Sequence, residues 1–84
     1  METLEGELSF ATVPRLLQRA DSLLDGGVLD LSRVSRVDSA GLALLLELSR
    51  RSRSRGTRLG IRGMNPQILS LTGFFGLDKV LNLE

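Results

Sequence analysis

Short apolar segments alternate along the chain with segments of helical periodicity, and this alternation restricts the fold class. Leu4 and Leu8 alternate with polar residues in a first strand that ends before Phe10. A second, more apolar strand is predicted over residues 28–31, inside the sheet, and a third over residues 57–62. Strands joined by long helical crossovers pair in parallel with a right-handed connection. The sequence therefore predicts an α/β fold, with a small sheet of largely parallel strands flanked by helices.

Three segments have the spacing and the end signals of helices. They are predicted over residues 13–24, residues 38–55 and residues 67–72. Thr12 and Asn65 are expected to cap the first and third helices, and Gly56 and Gly73 to end the second and third. Residues 32–37, between the second strand and the second helix, are expected to form a turn.

Composition narrows the chemistry that the chain can perform. Its 84 residues are 42% hydrophobic and 25% charged with a net charge of +1, which is typical of one folded domain over residues 1–84. The absence of Cys and His removes thiol nucleophiles, disulfides, most zinc sites and the commonest general base. We therefore expect no enzyme, no cofactor and no metal site.

Two features bear on where the protein acts. The longest stretch without a charged side chain, residues 63–77, is interrupted by proline and glycine and is too short to span a bilayer. The acidic first residues differ from a signal peptide, which needs a basic segment followed by an apolar one. A cytoplasmic location is expected.

The segment Asp38-Ser39-Ala40-Gly41 lies at a strand–loop–helix junction and admits two interpretations. In one, Asp38 or Ser39 simply caps the helix. In the other, the free amides and the helix dipole stabilise an anion or a phosphorylated Ser39, and Gly41 leaves room for another backbone to approach.

The second helix has more apolar surface than one buried face requires. Five leucines occupy an arc of about 200° on a helical wheel. They are Leu42, Leu44, Leu45, Leu46 and Leu48. Either a neighbouring helix of the same domain covers the excess, or a partner protein does, and the small number of elements favours the partner.

Six arginines lie within the thirteen residues from 50 to 62. They are Arg50, Arg51, Arg53, Arg55, Arg58 and Arg62. They complement the dipole at a helix C-terminus, or they bind an acidic protein or anionic lipid headgroups. Nucleic acid is the weakest option, because the chain lacks Tyr and Trp for stacking and its net charge is nearly zero. The sole lysine, Lys79, belongs to no glycine-rich phosphate loop, so no nucleotide binding is expected.

Residues 29–46, Leu-Asp-Leu-Ser-Arg-Val-Ser-Arg-Val-Asp-Ser-Ala-Gly-Leu-Ala-Leu-Leu-Leu, closely resemble the signature of STAS domains, the fold of anti-sigma-factor antagonists. Gly6-Glu7-Leu8, Leu71-Thr72-Gly73 and Phe75-Gly76-Leu77 extend the resemblance over nearly the whole chain. The repeat Ser-Arg-Val-Ser-Arg-Val is most similar to the branch of small cytoplasmic subunits of phospholipid-transport ABC complexes in Gram-negative bacteria.

This resemblance implies a non-catalytic subunit that binds and stabilises the ATPase of such a complex, at the inner membrane, in support of outer-membrane lipid asymmetry. ATP and magnesium would belong to the partner. The implied partner-binding residues are Arg36, Asp38, Ser39, Ala40, Gly41 and Leu42. Alternatively, the chain is an anti-sigma-factor antagonist whose Ser39 is the phosphoacceptor for a partner kinase. A small hydrolase using Ser39 and Asp38 ranks last, because adjacent residues are badly placed for one to activate the other.

One departure from the family concerns the sheet edge. STAS domains usually have an additional N-terminal strand, and only a few residues precede Leu4 here. An N-terminal edge strand that is short or missing would leave an open edge suited to a homodimer.

Overall fold

Four parallel strands form one sheet in the computed structural model, which describes residues 1–84. The strands are β1 (Glu2–Leu8), β2 (Val28–Val37), β3 (Gly60–Arg62) and β4 (Asn82–Leu83), and they lie in the sheet in that order. The helices are α1 (Val13–Gln18), α2 (Ala20–Asp25), α3 (Ser39–Ser54) and α4 (Pro66–Phe74), followed by a 3₁₀ turn (Leu77–Lys79). The predicted α/β class is confirmed, and β2 lies inside the sheet as expected.

Strand β2 is longer than predicted, because residues 32–37 continue it instead of forming a turn. Its buried residues are Leu29, Leu31 and Val34, so the spacing changes from two to three within one strand. The register with β1 shifts at the same place and again near the end of β2, each time by one extra residue in β2. These irregularities interrupt the alternation that identifies a strand, which is why residues 32–37 resemble a turn in the sequence.

The first predicted helix is two helices. The chain turns at Arg19, whose N–H donates to the Leu16 carbonyl, and α2 starts at the next residue. The predicted cap at Thr12 is wrong, because the Thr12 hydroxyl donates to the Glu7 carbonyl and accepts the Ser9 N–H. Thr12 therefore holds the loop between β1 and α1 and does not cap α1.

Strand β3 begins three residues later than predicted, because Thr57 completes the end of α3. Both the N–H and the hydroxyl of Thr57 donate to the Ser52 carbonyl. Helix α3 ends just before Gly56, which has a φ of +76°, so the predicted helix end at this glycine is confirmed.

Helix α4 continues through Gly73 to Phe74, so the predicted stop at Gly73 is wrong. Gly76 instead takes the left-handed conformation, with a φ of +72°. Asn65 caps α4 as predicted, since its side chain accepts the Ile68 N–H at 2.9 Å. Strand β4 was not predicted, because two residues carry no recognisable alternation.

The chain itself covers most of the apolar arc on α3. Leu42, Leu44, Leu45 and Leu48 are buried, and Leu46 is half-buried against the core. Helix α3 packs on β1 and β2 and against α1 and α2. The inference that a partner protein is needed to cover these leucines is therefore wrong for four of the five.

Strand β1 forms one edge of the sheet, with β2 on one side only. Gly6 interrupts it with a φ of +78°, next to a register shift. Three of its residues, Glu2, Glu5 and Glu7, are acidic. A distorted, charged edge is a poor template for pairing with another strand.

Candidate partner-binding site

Asp38 ties the end of β2 to the start of α3 and to the loop after β1. Its Oδ1 accepts the Gly41 N–H at 3.0 Å, and its Oδ2 accepts the Phe10 N–H at 3.0 Å. Its own N–H donates to the Leu8 carbonyl at 3.1 Å. The Phe10 hydrogen bond, followed by that from Gly41, lowers the pKa of the Asp38 carboxyl. Asp38 is therefore the helix cap, and it fixes the loop as an ionised carboxylate.

The six residues implied as partner-binding differ in accessibility. Arg36 and Ser39 are exposed, Asp38 and Ala40 are half-buried, and Gly41 and Leu42 are buried. Gly41 packs against the Leu8 carbonyl oxygen, so the backbone that closely approaches this glycine belongs to the same chain. Ser39 is thus the residue of the Asp38–Gly41 segment whose side chain is open to a partner.

Ser39 borders an apolar groove of about 250 Å³, which we name the α3 groove. The groove is lined by Ser39, Leu42, Ala43, Leu46, Phe75 and Leu77. Phe75 is 55% exposed although it is one of only three aromatic residues in the chain. Ser39 is the one polar side chain among the six, so the groove combines an apolar surface with a single hydroxyl.

A larger cavity of about 660 Å³, named the α4 cavity, adjoins the same end of β2. It lies between the last residues of β2, including Arg36, and α4, whose Phe74 is 80% exposed. The rings of Phe74 and Phe75 meet edge to face, with centroids 5.2 Å apart and planes at 89°. Arg36 and Ser39 therefore border two neighbouring depressions, each with an exposed phenylalanine in its wall.

Sequence reasoning missed the aromatic part of this surface. Apolar residues recur between Phe74 and Leu81, a pattern that predicts a last apolar cluster or short helix and not an exposed surface. The sequence does contain a signal for this exposed aromatic surface. Successive helical residues point about 100° apart, so Phe74 and Phe75 cannot both face one core. Their neighbours Gly73 and Gly76 have no side chains that could cover the two rings.

The polar groups next to the α3 groove are few. The Asp38 carboxylate already accepts two backbone N–H groups, and no histidine or lysine lines the groove beside Ser39 to activate its hydroxyl.

No group of three or more Asp or Glu side chains is arranged to hold a metal ion. None of the helices combines the length and the apolar character needed to cross a membrane.

Comparison with known proteins agrees with the fold and with the signature. The family model "Mlab, STAS domain" matches residues 3–83. Proteins of Escherichia coli (strain K12) and Shigella flexneri, each named intermembrane phospholipid transport system binding protein MlaB, are 36% identical over 75 residues, or 88% of this chain and 77% of theirs. The anti-sigma factor antagonist SpoIIAA in its unphosphorylated form superposes with a TM-score of 0.67 at 20% identity, covering 93% of this chain and 84% of that one, a likeness of fold alone. The chain therefore belongs to the MlaB family of STAS domains.

Proposed function

We propose that this chain is a non-catalytic subunit of a phospholipid-transport system, and that it binds and stabilises the ABC ATPase subunit of that system. Its family membership and the names of its relatives, binding proteins of an intermembrane phospholipid transport system, support this role. In this role it acts on the cytoplasmic side of the inner membrane, held there by its complex, and supports outer-membrane lipid asymmetry.

One observation carries the proposal: Ser39 is exposed at the border of an apolar groove that also exposes Phe75. Protein interfaces concentrate binding energy in aromatic side chains and well-packed apolar contacts, surrounded by polar groups. The α3 groove supplies both kinds of contact. The Ser39 hydroxyl would hydrogen-bond the partner, and Phe75 would pack against an apolar side chain inserted beside it.

Asp38 contributes to binding indirectly. The two hydrogen bonds that its carboxylate accepts, from the Phe10 and Gly41 N–H groups, hold the first turn of α3 in one position before the partner arrives. A surface that is already ordered loses less conformational entropy on binding. Asp38 is thus a positioning residue, and Ser39 and Phe75 are the contacts.

The test is co-purification of the chain with the ABC ATPase subunit of the phospholipid-transport system of the same organism. Ser39→Glu places a charge in the interface, where an unpaired buried charge costs about 2–5 kcal/mol, or at least roughly 30-fold in affinity. A negative charge is favourable at a helix N-terminus, so the isolated variant should stay folded. Ser22→Glu, at an exposed serine of α2, is the matched control and should bind normally.

Normal recovery of the Ser39→Glu variant with the ATPase would refute the proposal. Phosphorylation of Ser39 by a kinase-type anti-sigma factor, detected by mass spectrometry, would favour the signalling alternative instead. Turnover by the purified chain that disappears in Ser39→Ala would contradict the non-catalytic role.

A further inference from the structure

Three cations border a pocket at the opposite end of α3 from Ser39. Arg53 comes from the last turn of α3, Arg58 precedes β3, and Lys79 ends the 3₁₀ turn. The pocket has a volume of about 350 Å³ and is also lined by Ser49 and Asn82. We name it the basic pocket.

None of the three cations of the basic pocket forms an ion pair with a carboxylate. Arg50 and Arg51 both pair with Glu47, at 2.8 and 2.6 Å, and Arg55 pairs with Asp21. The remaining ion pairs join Arg19 to Glu2 and Arg33 to Glu5, so none involves the basic pocket. The pocket therefore concentrates positive charge that the chain itself does not neutralise.

A second, independent observation lies in the same pocket. Ser49 is 6% exposed, and its Oγ is buried without a hydrogen-bond partner. Ser52, less than one turn later, shows the usual arrangement, because its Oγ lies 2.7 Å from the hydroxyl oxygen of Thr57. A buried hydroxyl without a partner is unfavourable and calls for an explanation. A ligand that accepts a hydrogen bond would provide one.

We infer that the basic pocket binds a phosphate group. Phosphate offers several acceptor oxygens, which suit two planar guanidinium groups, an ammonium group and a hydroxyl donor together. In this arrangement Arg53, Arg58 and Lys79 neutralise the anion, and Ser49 donates to one of its oxygens.

The C-terminus of α3 does not prevent anion binding here. Free carbonyl groups at a helix end would repel an anion. In this helix the carbonyls of residues 51–53 already accept N–H groups from residues 55–57. Three unpaired cations therefore dominate the local charge.

The basic pocket is separate from the proposed ATPase-binding surface. Ser39 follows the carboxyl end of β2, whereas Arg58 and Asn82 lie at the starts of β3 and β4. Because the strands are parallel, their starts and their carboxyl ends lie at opposite ends of the sheet. Ser39 and Ser49 are ten residues apart in α3, or about 15 Å along its axis. The inference does not depend on the proposed function, and the two can fail separately.

The first experiment is a titration of the isotope-labelled chain with inorganic phosphate, followed by NMR at constant ionic strength. We expect saturable shifts of the amides of Ser49, Arg53 and Arg58, with the Ser39 amide unmoved. Arg53→Gln should weaken binding about tenfold, since it removes a charged donor. Arg15→Gln, which removes the same charge from an exposed position on α1, should bind phosphate as the unchanged protein does.

Ser49→Ala separates a ligand-binding hydroxyl from a merely structural one. The substitution removes a hydroxyl that makes no hydrogen bond within the chain, so the variant should fold normally. If the hydroxyl contacts phosphate, affinity falls about fivefold. Unchanged affinity in both Ser49→Ala and Arg53→Gln would overturn the inference.

A second experiment, sedimentation with lipid vesicles, identifies whether the phosphate group belongs to a lipid or is free in solution. Sedimentation with phosphatidylglycerol vesicles but not with phosphatidylcholine vesicles, lost in Arg53→Gln and kept in Arg15→Gln, would assign a lipid headgroup. Saturation by inorganic phosphate without sedimentation would assign a free phosphate. Binding of neither, or equal loss of binding in Arg15→Gln, would show that the pocket has no phosphate site.

Discussion

The backbone of Gly41 packs directly against the carbonyl oxygen of Leu8, with no room between them for a Cβ atom. That oxygen also accepts the Asp38 N–H at 3.1 Å, so the first turn of α3 rests on the end of β1. This contact determines which side of the turn faces outward. Ser39 lies on the exposed side and Gly41 on the buried side.

Gly41→Ala should destabilise the fold. A methyl group here would overlap the Leu8 carbonyl and the Val37 side chain, and inserting a methyl into a packed site costs about 1–3 kcal/mol. Urea unfolding followed by circular dichroism measures the change. Gly73→Ala is the control: that glycine lies in α4 with open space around it, so alanine should stabilise the helix by about 0.5–1 kcal/mol. Equal stability of the two variants would contradict the packing described.

Acidification should destabilise the fold between about pH 5 and pH 2. Hydrogen bonds from Arg50, then Arg51, lower the pKa of Glu47 from 4.5 to about 2, and those from Phe10 and Gly41 lower the pKa of Asp38 below 3.8. A carboxyl with a lower pKa in the folded chain adds stability above its unfolded pKa and loses it as pH falls through the folded pKa. The melting temperature measured against pH should therefore fall across this range.

Two variants assign the acid sensitivity to its residues. Glu47→Gln should lower the melting temperature at pH 7 and flatten its pH dependence, because glutamine cannot lose a proton to pair with the arginines. Glu5→Gln is the control, since Glu5 and Arg33 form an exposed pair at 3.4 Å that contributes little. A pH profile left unchanged by Glu47→Gln would disprove the role of this ion-pair cluster.

Phe75→Ala should weaken ATPase binding while leaving the chain folded. Phe75 is 55% exposed, so truncating it removes little from the core, whereas loss of an aromatic anchor typically costs about 2 kcal/mol or more at an interface. The measurement is the dissociation constant for the ATPase subunit by calorimetry, with a rise of about 30-fold expected. Val80→Ala truncates another exposed apolar residue, at the basic pocket, and should bind normally.

The isolated chain should remain monomeric despite the open edge of its sheet. The left-handed Gly6 and the three glutamates of β1 disfavour the edge-to-edge homodimer that the sequence suggests. Sedimentation equilibrium at increasing concentration tests this. A dimer that persists in Glu5→Arg would show that another surface joins the copies, and a dimer abolished by that change would restore the edge model.

The sequence predicts well those features that depend on residues close together in the chain. The α/β class, the cap at Asp38 and the cap at Asn65 each follow from a few neighbouring residues. The end of α4 was harder, because Gly73 and Gly76 carry the same local signal and only packing selects between them.

Features that depend on contacts between distant residues could not be predicted. The extra residues in β2 become visible only through its register with β1. The arginine run contains a local and a distant ion pair. The pairing of Arg51 with Glu47 follows from a spacing of four residues, but Arg55 pairs with Asp21, 34 residues away. The division of the run into paired and unpaired cations, and hence the basic pocket, requires the fold.

The perpendicular stacking of Phe74 and Phe75 joins the α3 groove and the α4 cavity through a shared wall. A partner segment that reaches across both depressions would therefore bury both exposed rings at once, whereas a short peptide that fills one depression would leave the ring of the other in water.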